Sequence, residues 1–345
     1  MAANFDWIKR LGSGHFGEVW LARDTGLNAI RAVKLIPPDK VFNPSNFFQE
    51  AQVLKLAEHA NVVRIEETGK MADGRLYVVM QYHKRGSLDD EAKGAYVALT
   101  RAKRIMIDVL RGLEHAHSKG VLHCGIKPAN ILIGNANEGV LSDFGLAVPA
   151  GADLNAMGVK DYFFVMHLAP ECHRKRRFSI TTDLYAAGVT MYRLINGDSY
   201  LPSLTPQEIM KEAARGRFPS RSKFREFIPR PLRALVNKAI QVEPSKRFQT
   251  ASQMRHALET LTLRMNWNEA ILPNGVRWLG SRKSYCYEIT RLREKRGEWS
   301  VVAKKGRSKT SLRRITNLCH KGYRKVKAEQ LTRRMLQDYV LGKLN

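Results

Sequence analysis

Three glycines, Gly12, Gly14 and Gly17, fall in G-x-G-x-x-G spacing in IKRLGSGHFGEVWLARD. Glycines so spaced let a backbone approach phosphate and turn its N–H groups toward it. Two chemistries share the spacing. In a dinucleotide site the third glycine opens a helix whose N-terminus meets a pyrophosphate. Here EVWLARD follows, alternating Val19 and Leu21 with Glu18 and Trp20, which is strand periodicity. The expectation is a strand, a glycine turn and a second strand that close over phosphates. Next comes AIRAVKLIPP, with Lys34 in an apolar strand that stops at Pro37 and Pro38. A buried ammonium needs an anionic partner. NPSNFFQEAQVLKLAEH then reads as a helix, with Asn46 and Gln49 in capping-box spacing and Glu50 one turn from Leu54 on the same face. A Glu50–Lys34 ion pair would hold the lysine ready for α- and β-phosphates.

The elements that must position this chemistry continue in order. GVLHCGIKPANILIG, residues 120–134, follows an amphipathic helix, and a short apolar strand then leads to Asp143-Phe144-Gly145. With the glycine hairpin and AVK, this succession resembles the eukaryotic-like serine/threonine protein kinase family. Its wording looks bacterial or phage-like rather than animal. The resemblance implies an α+β, bilobal protein-kinase fold: N-lobe and hinge at 1–83, helical C-lobe at 84–264. It implies ATP with Mg²⁺ or Mn²⁺ as cofactors. Leu11, Gly12, Gly14 and Gly17 would cover the phosphates. Lys34 with Glu50 would hold them, Val19, Ala32 and Leu132 would sandwich adenine, and Met80 would be the gatekeeper. Gln81, Tyr82 and His83 would supply the hinge backbone.

By the same resemblance Asp143 and Asn130 hold metal and Lys127 sits beside the transferred γ-phosphoryl group. Gly125, however, stands where the family carries an aspartate that orients the acceptor hydroxyl and takes its proton. Losing a positioned base costs about 10²–10⁴ in rate, roughly 3–5.5 kcal/mol of barrier. The chain is therefore expected to bind ATP and barely use it. Two origins stay open: an Asp→Gly change in an otherwise working kinase, or a pseudokinase that serves as a nucleotide-binding switch or scaffold. Cys124 replaces the family's arginine, Phe164 replaces a threonine, and residues 146–168 contain no Ser or Thr. Tyr162 is read as a packing aromatic. Asp183 is expected to cap the catalytic-loop backbone and Arg247 to pair with Glu171. His115 and His117 read as packing or surface residues.

The rest of the chain is marked by charge. The 345 residues carry 58 Lys+Arg against 32 Asp+Glu, a net charge of +26. Residues 265–345 hold about half of that excess in a quarter of the length. Such a surface suits a polyanion, so nucleic acid or an acidic, neutralising protein partner joins ATP and a protein substrate among the expected partners. Trp278, Tyr285, Tyr287, Trp299 and Tyr323 either stack bases or fill a small core, the core being favoured. The segment is expected to be a small basic α+β domain. Three antiparallel strands (GVRWLGS, SYCYEITRL, EWSVVAKKG) and two helices (SLRRITNLCH, AEQLTRRMLQDYVL) would build it. Four scattered cysteines argue against a disulfide framework or a zinc site. Without an apolar leader or a spanning segment, the expected setting is cytoplasmic, away from membrane.

Overall fold

The computed structural model describes residues 5–14, 17–38, 58–144, 148–149, 165–175 and 178–344. Five antiparallel strands come first: β1 (Phe5–Gly14), β2 (Gly17–Asp24), β3 (Ala29–Ile36), β4 (Ile65–Lys70) and β5 (Leu76–Gln81), in sheet order β1-β2-β3-β5-β4. Ala22, Val33, Leu35, Tyr77 and Val79 make the small core of this lobe. The β1–β2 hairpin turns where Gly14 pairs with Gly17. Gly17 has φ +120°, and a Cβ there would lie 1.9 Å from the Leu35 carbonyl oxygen, so no other residue fits.

Helices follow. The short α1 (Leu88–Ala92) carries a capping box from Ser87 and Asp90. The amphipathic α2 (Leu99–Ser118) buries Ile105, Met106, Val109, Leu110, Leu113 and Ala116 along one stripe. It turns at Gly120 into β6 (Val121–Leu122), and the hairpin of β7 (Ile131–Ile133) and β8 (Gly139–Leu141) follows. β6 pairs with β9 (Val148–Pro149). After α3 (Cys172–Lys175), α4 (Ile180–Asn196) runs almost wholly buried through the lobe, with α5 (Pro206–Ala214), α6 (Arg230–Ala239) and α7 (Ala251–Glu259) around it. Arg247 forms a fork with both Glu171 carboxylate oxygens at 2.7 Å and donates to three main-chain oxygens.

Beyond α7 a second sheet forms from β10 (Asn266–Leu272), β11 (Gly275–Arg282), β12 (Tyr285–Arg293), β13 (Trp299–Gly306), β14 (Arg313–Arg314) and β15 (His320–Tyr323). The helix α8 (Lys325–Leu341) packs on β12 and β13. The three expected strands are present, but the sheet has six. β10 reads poorly in sequence because Asn and Glu are weak strand formers. Its place is decided by Trp267, which is buried with its indole N–H donating to the Leu336 carbonyl at 3.1 Å. SLRRITNLCH is not a helix. Arg313 and Arg314 pair with Lys305 and Lys304, the Ile315 N–H donates to the Ala303 carbonyl at 2.9 Å, and a single 3₁₀ turn spans Thr316–Leu318. The open edge of β13 offers ladder bonds, and a segment this short has too little helical stability of its own to refuse them.

The sheet docks on the helical lobe through a shared core. Trp267, Trp278, Tyr287 and Tyr339 belong to the same buried cluster as α2 and α4. Arg291, its side chain 7% exposed, grips Glu226 bidentately at 2.7 and 2.8 Å. The Tyr96 hydroxyl donates to the Trp267 carbonyl at 3.2 Å and accepts the Glu269 N–H at 2.8 Å. Of the aromatics offered for base stacking, Trp278 and Tyr287 are buried, Trp299 and Tyr323 are half-buried, and Tyr285 is exposed. They serve mainly as core.

Truncating Trp267 to alanine should cost about 3–5 kcal/mol. Denaturant unfolding of the whole chain should still show one transition, because both parts share that core. Two separated transitions in the intact protein would contradict this packing.

Candidate active site

A cleft of about 720 Å³ opens between the five-stranded sheet and the helical lobe. Leu11, Gly12, Gly17 and Val19 roof it, and Ala32 and Lys34 line it from β3. Val19 lies opposite Lys34, and Ala32 opposite Met80, so one pleated face presents all four. Gln81, Tyr82 and His83 form the connecting wall, with Leu132 on β7 below. Gly125, Lys127, Asn130 and Asp143 line the inner end. Gly14 pairs with Gly17 at the hairpin tip. Glu50, with its expected pairing to Lys34, lies outside the described residues, as do Tyr162 and Phe164.

One buried carboxylate shapes the loop. Asp183, in the first turn of α4, accepts the His123 and Cys124 N–H groups and the His117 Nε2–H, all at 2.9 Å. Burial opposes its ionisation, but the bond from His117 and the nearby imidazoles outweigh that and hold its pKa below the ordinary value. The His123 ring then reaches forward. Its Nδ1 accepts the Gly125 N–H at 3.1 Å, so its Nε2–H donates to the Ser142 carbonyl at 3.1 Å. Full burial keeps this imidazole neutral, its pKa lowered. The Ser142 N–H and hydroxyl both bond the Asn130 carbonyl, at 2.9 and 3.2 Å. Loop and Asp143 segment are thereby tied together, with Cys124 and Asp143 in the left-handed region at φ 58° and 59°. Such backbone values are held only where surroundings enforce them.

Lys34 forms an ion pair with Asp143, whose side chain remains 38% exposed to the cleft. Burial would raise the Asp143 pKa, but the Lys34 charge and hydrogen bond prevail and hold it low. The side-chain amide of Asn130 donates to the Gly125 carbonyl at 2.8 Å, which leaves its Oδ1 as an acceptor. Among the described residues no three His, Cys, Asp or Glu side chains gather as a metal site. One carboxylate and one amide oxygen fit a hard divalent ion that keeps phosphate oxygens as its other ligands. At Gly125 a Cβ would meet Asn130 Nδ2 at 3.4 Å and the His123 ring at 3.6–3.7 Å, ordinary contacts, and the backbone is one an L-residue adopts. Space for a Cβ is present at this position.

Two residues escaped the sequence reading. His117 is no surface or packing histidine, because its imidazole holds Asp183. Its only signal was its position in the last turn of α2. His167 lines the cleft, and burial with the Arg193 and Lys127 charges keeps its pKa well below the ordinary value. A neutral imidazole so weakened is a poor proton acceptor.

Residues 5–258 match the protein kinase domain model. The chain is 30% identical over 261 residues to serine/threonine-protein kinase PknJ of Mycobacterium tuberculosis, covering 72% of this chain and 44% of that one. It is 31% identical over 255 residues to PknB of Mycolicibacterium smegmatis, with 71% and 41% covered. To serine/threonine-protein kinase D of Synechocystis sp. it is 30% identical over 276 residues, with 74% and 52% covered. The chain thus spans about half or less of these relatives' lengths.

The Asp183 carboxylate can be tested by pH. Its folded-state pKa is depressed, so its stabilisation is complete above the ordinary value near 3.8 and is lost as pH falls through and below it. Asp183→Asn should cost about 3–5 kcal/mol at pH 7 in denaturant unfolding. It should also lose less stability than the parent between pH 4 and pH 2. Equal acid losses in both proteins would refute the assignment.

Proposed function

The chain belongs to the protein kinase family, and from that premise we propose a serine/threonine kinase by descent that binds ATP with Mg²⁺ or Mn²⁺ and is slowed at phosphate transfer by Gly125. One observation carries the reading: Lys34, Asp143, Asn130 and Lys127 line the cleft together with Gly125, where a Cβ would meet only ordinary contacts and no side chain is present.

The roles follow from charge. Lys34 would exchange the Asp143 carboxylate for phosphate oxygens, one anion for another. The Asp143 carboxylate and the Asn130 Oδ1 would hold the divalent ion, which supplies neutralisation of phosphate charge when bound. Lys127 would neutralise the γ-phosphoryl oxygens. Val19, Ala32 and Leu132 offer apolar faces to adenine. The Gln81 N–H is taken by the Arg64 carbonyl and the His83 carbonyl by the Gly86 N–H, both at 3.0 Å, so the base would use the remaining hinge groups. An acceptor Ser or Thr hydroxyl would find no group at Gly125 to orient it or receive its proton.

A nucleotide-binding switch is the second reading, and the same glycine supports it. The basic segment 265–345 would then recruit nucleic acid or an acidic protein. No helix among the described residues is long and apolar enough to span a membrane. The scattered cysteines, with no C-x-x-C pair in the sequence, support a reducing, cytoplasmic setting.

Gly125→Asp should raise γ-phosphate transfer to a generic Ser/Thr substrate, or to the chain itself, by about 10²–10⁴. Nucleotide affinity by calorimetry should change only a few-fold. Lys34→Met should weaken binding in either background. Silence of Gly125→Asp with intact ATP binding would favour the switch. Absence of ATP binding with divalent ion supplied would overturn both readings.

A further inference from the structure

A second cleft, of about 430 Å³, lies where α6 of the kinase lobe meets α8 of the C-terminal segment. Arg230 lines it from α6, and Arg333, Arg334 and Lys343 line it from α8 and the residues just beyond. Arg233 stands beside it, holding the lining amide of Gln337 at 3.3 Å, with its Nε buried and without a partner among the described residues. Asp338 is the one acid on the wall, 3.7 Å from an Arg334 side chain that is 82% exposed. Among the described residues, Arg230, Arg233, Arg333 and Lys343 have no carboxylate at ion-pair distance.

Gathering like charges without an anion is unfavourable, and Arg233 registers it. Burial first, then the Arg333 and Arg230 guanidiniums, push its pKa down. Two helices about a hundred residues apart bring these cations, Arg230, Arg333, Arg334 and Lys343 among them exposed, to one concave wall. The ten-residue α6 adds its N-terminus at Arg230, behind a Pro229 N-cap that gives no side-chain capping bond. Helix N-termini favour anions, and guanidinium forks fit phosphoryl oxygens in pairs. The lining amide of Gln330 adds a neutral donor, while Gln337 is engaged, donating to the Glu226 carbonyl at 2.9 Å and accepting from Arg233.

We propose that this cleft binds a small soluble ligand bearing phosphoryl groups, with two to four negative charges, and thereby clamps α8 onto the kinase lobe. The site is separate from the interlobe cleft and does not depend on Gly125 or on any phosphotransfer activity.

Inorganic pyrophosphate is the probe, at fixed ionic strength, with hydrogen exchange of the full chain as the readout. Exchange should slow in residues 230–236 and 330–343. In Arg230→Gln/Arg333→Gln the same protection should need at least tenfold more pyrophosphate. Changes near residues 12–17 would report any binding at the other cleft separately. The Tm of the double variant should hold or rise, because like-charge repulsion has been removed. No protection in these two segments would overturn the proposal, and so would equal protection in parent and variant. A steep fall in the variant's Tm would assign the arginines to folding instead. Equal protection by oligoglutamate of matched charge would show a site for charge alone, which the proposal also does not survive.

Discussion

The Asp183 carboxylate is the interaction on which the active-site geometry rests. It is fully buried, and a lone buried anion would be costly, but three N–H donors at 2.9 Å compensate it. Those donors fix the peptide around His123 and Cys124 to the central helix. The His123 ring passes the constraint to Gly125 on one side and to Ser142, next to Asp143, on the other. A single ion inside the helical lobe thus sets the separation between the loop and the Asp143 segment. This explains why a left-handed Cys124 and a left-handed Asp143 persist together.

Within that frame Gly125 contributes backbone alone. Its N–H and carbonyl are both bonded as part of the network, to His123 and to Asn130. Backbone interactions hold the loop's shape, so the loop does not need a side chain there. Binding of a charged phosphate chain depends on cations and on acceptors for metal, which stand elsewhere. Proton acceptance depends on one oriented base. In the proposed reading, chemistry and binding are carried by different atoms.

The C-terminal segment is bound into the kinase lobe instead of hanging from it. Trp267 and Trp278 are buried at the junction, and Arg291 is neutralised there by Glu226. Much of the positive charge lies on other surfaces. Arg313 and Arg314 are exposed on the strand that pairs with β13, and the arginines of α6 and α8 face each other across the second cleft. Net charge alone distinguishes none of these environments, because burial, pairing and crowding give one guanidinium three different energies.

The order of glycine hairpin, Lys34, loop and Asp143 was legible in the sequence, since local spacing selects strand or turn and the side chains declare their charge. Three strands in residues 275–306 were likewise legible, because strand-like runs separated by turn residues are a local signal. Other features had no local signal. Residues 311–320 have helix-compatible letters and were drawn into ladder bonds by the edge of β13. The role of His117 depends on a carboxylate sixty-six residues away. Trp267 and Arg291 became structural only against the helical lobe. Sequence therefore determined which groups exist and which short elements carry them. Tertiary structure decided which charges are paired, buried or left facing one another, because those energies depend on distance and dielectric between parts of the chain that local pattern never compares.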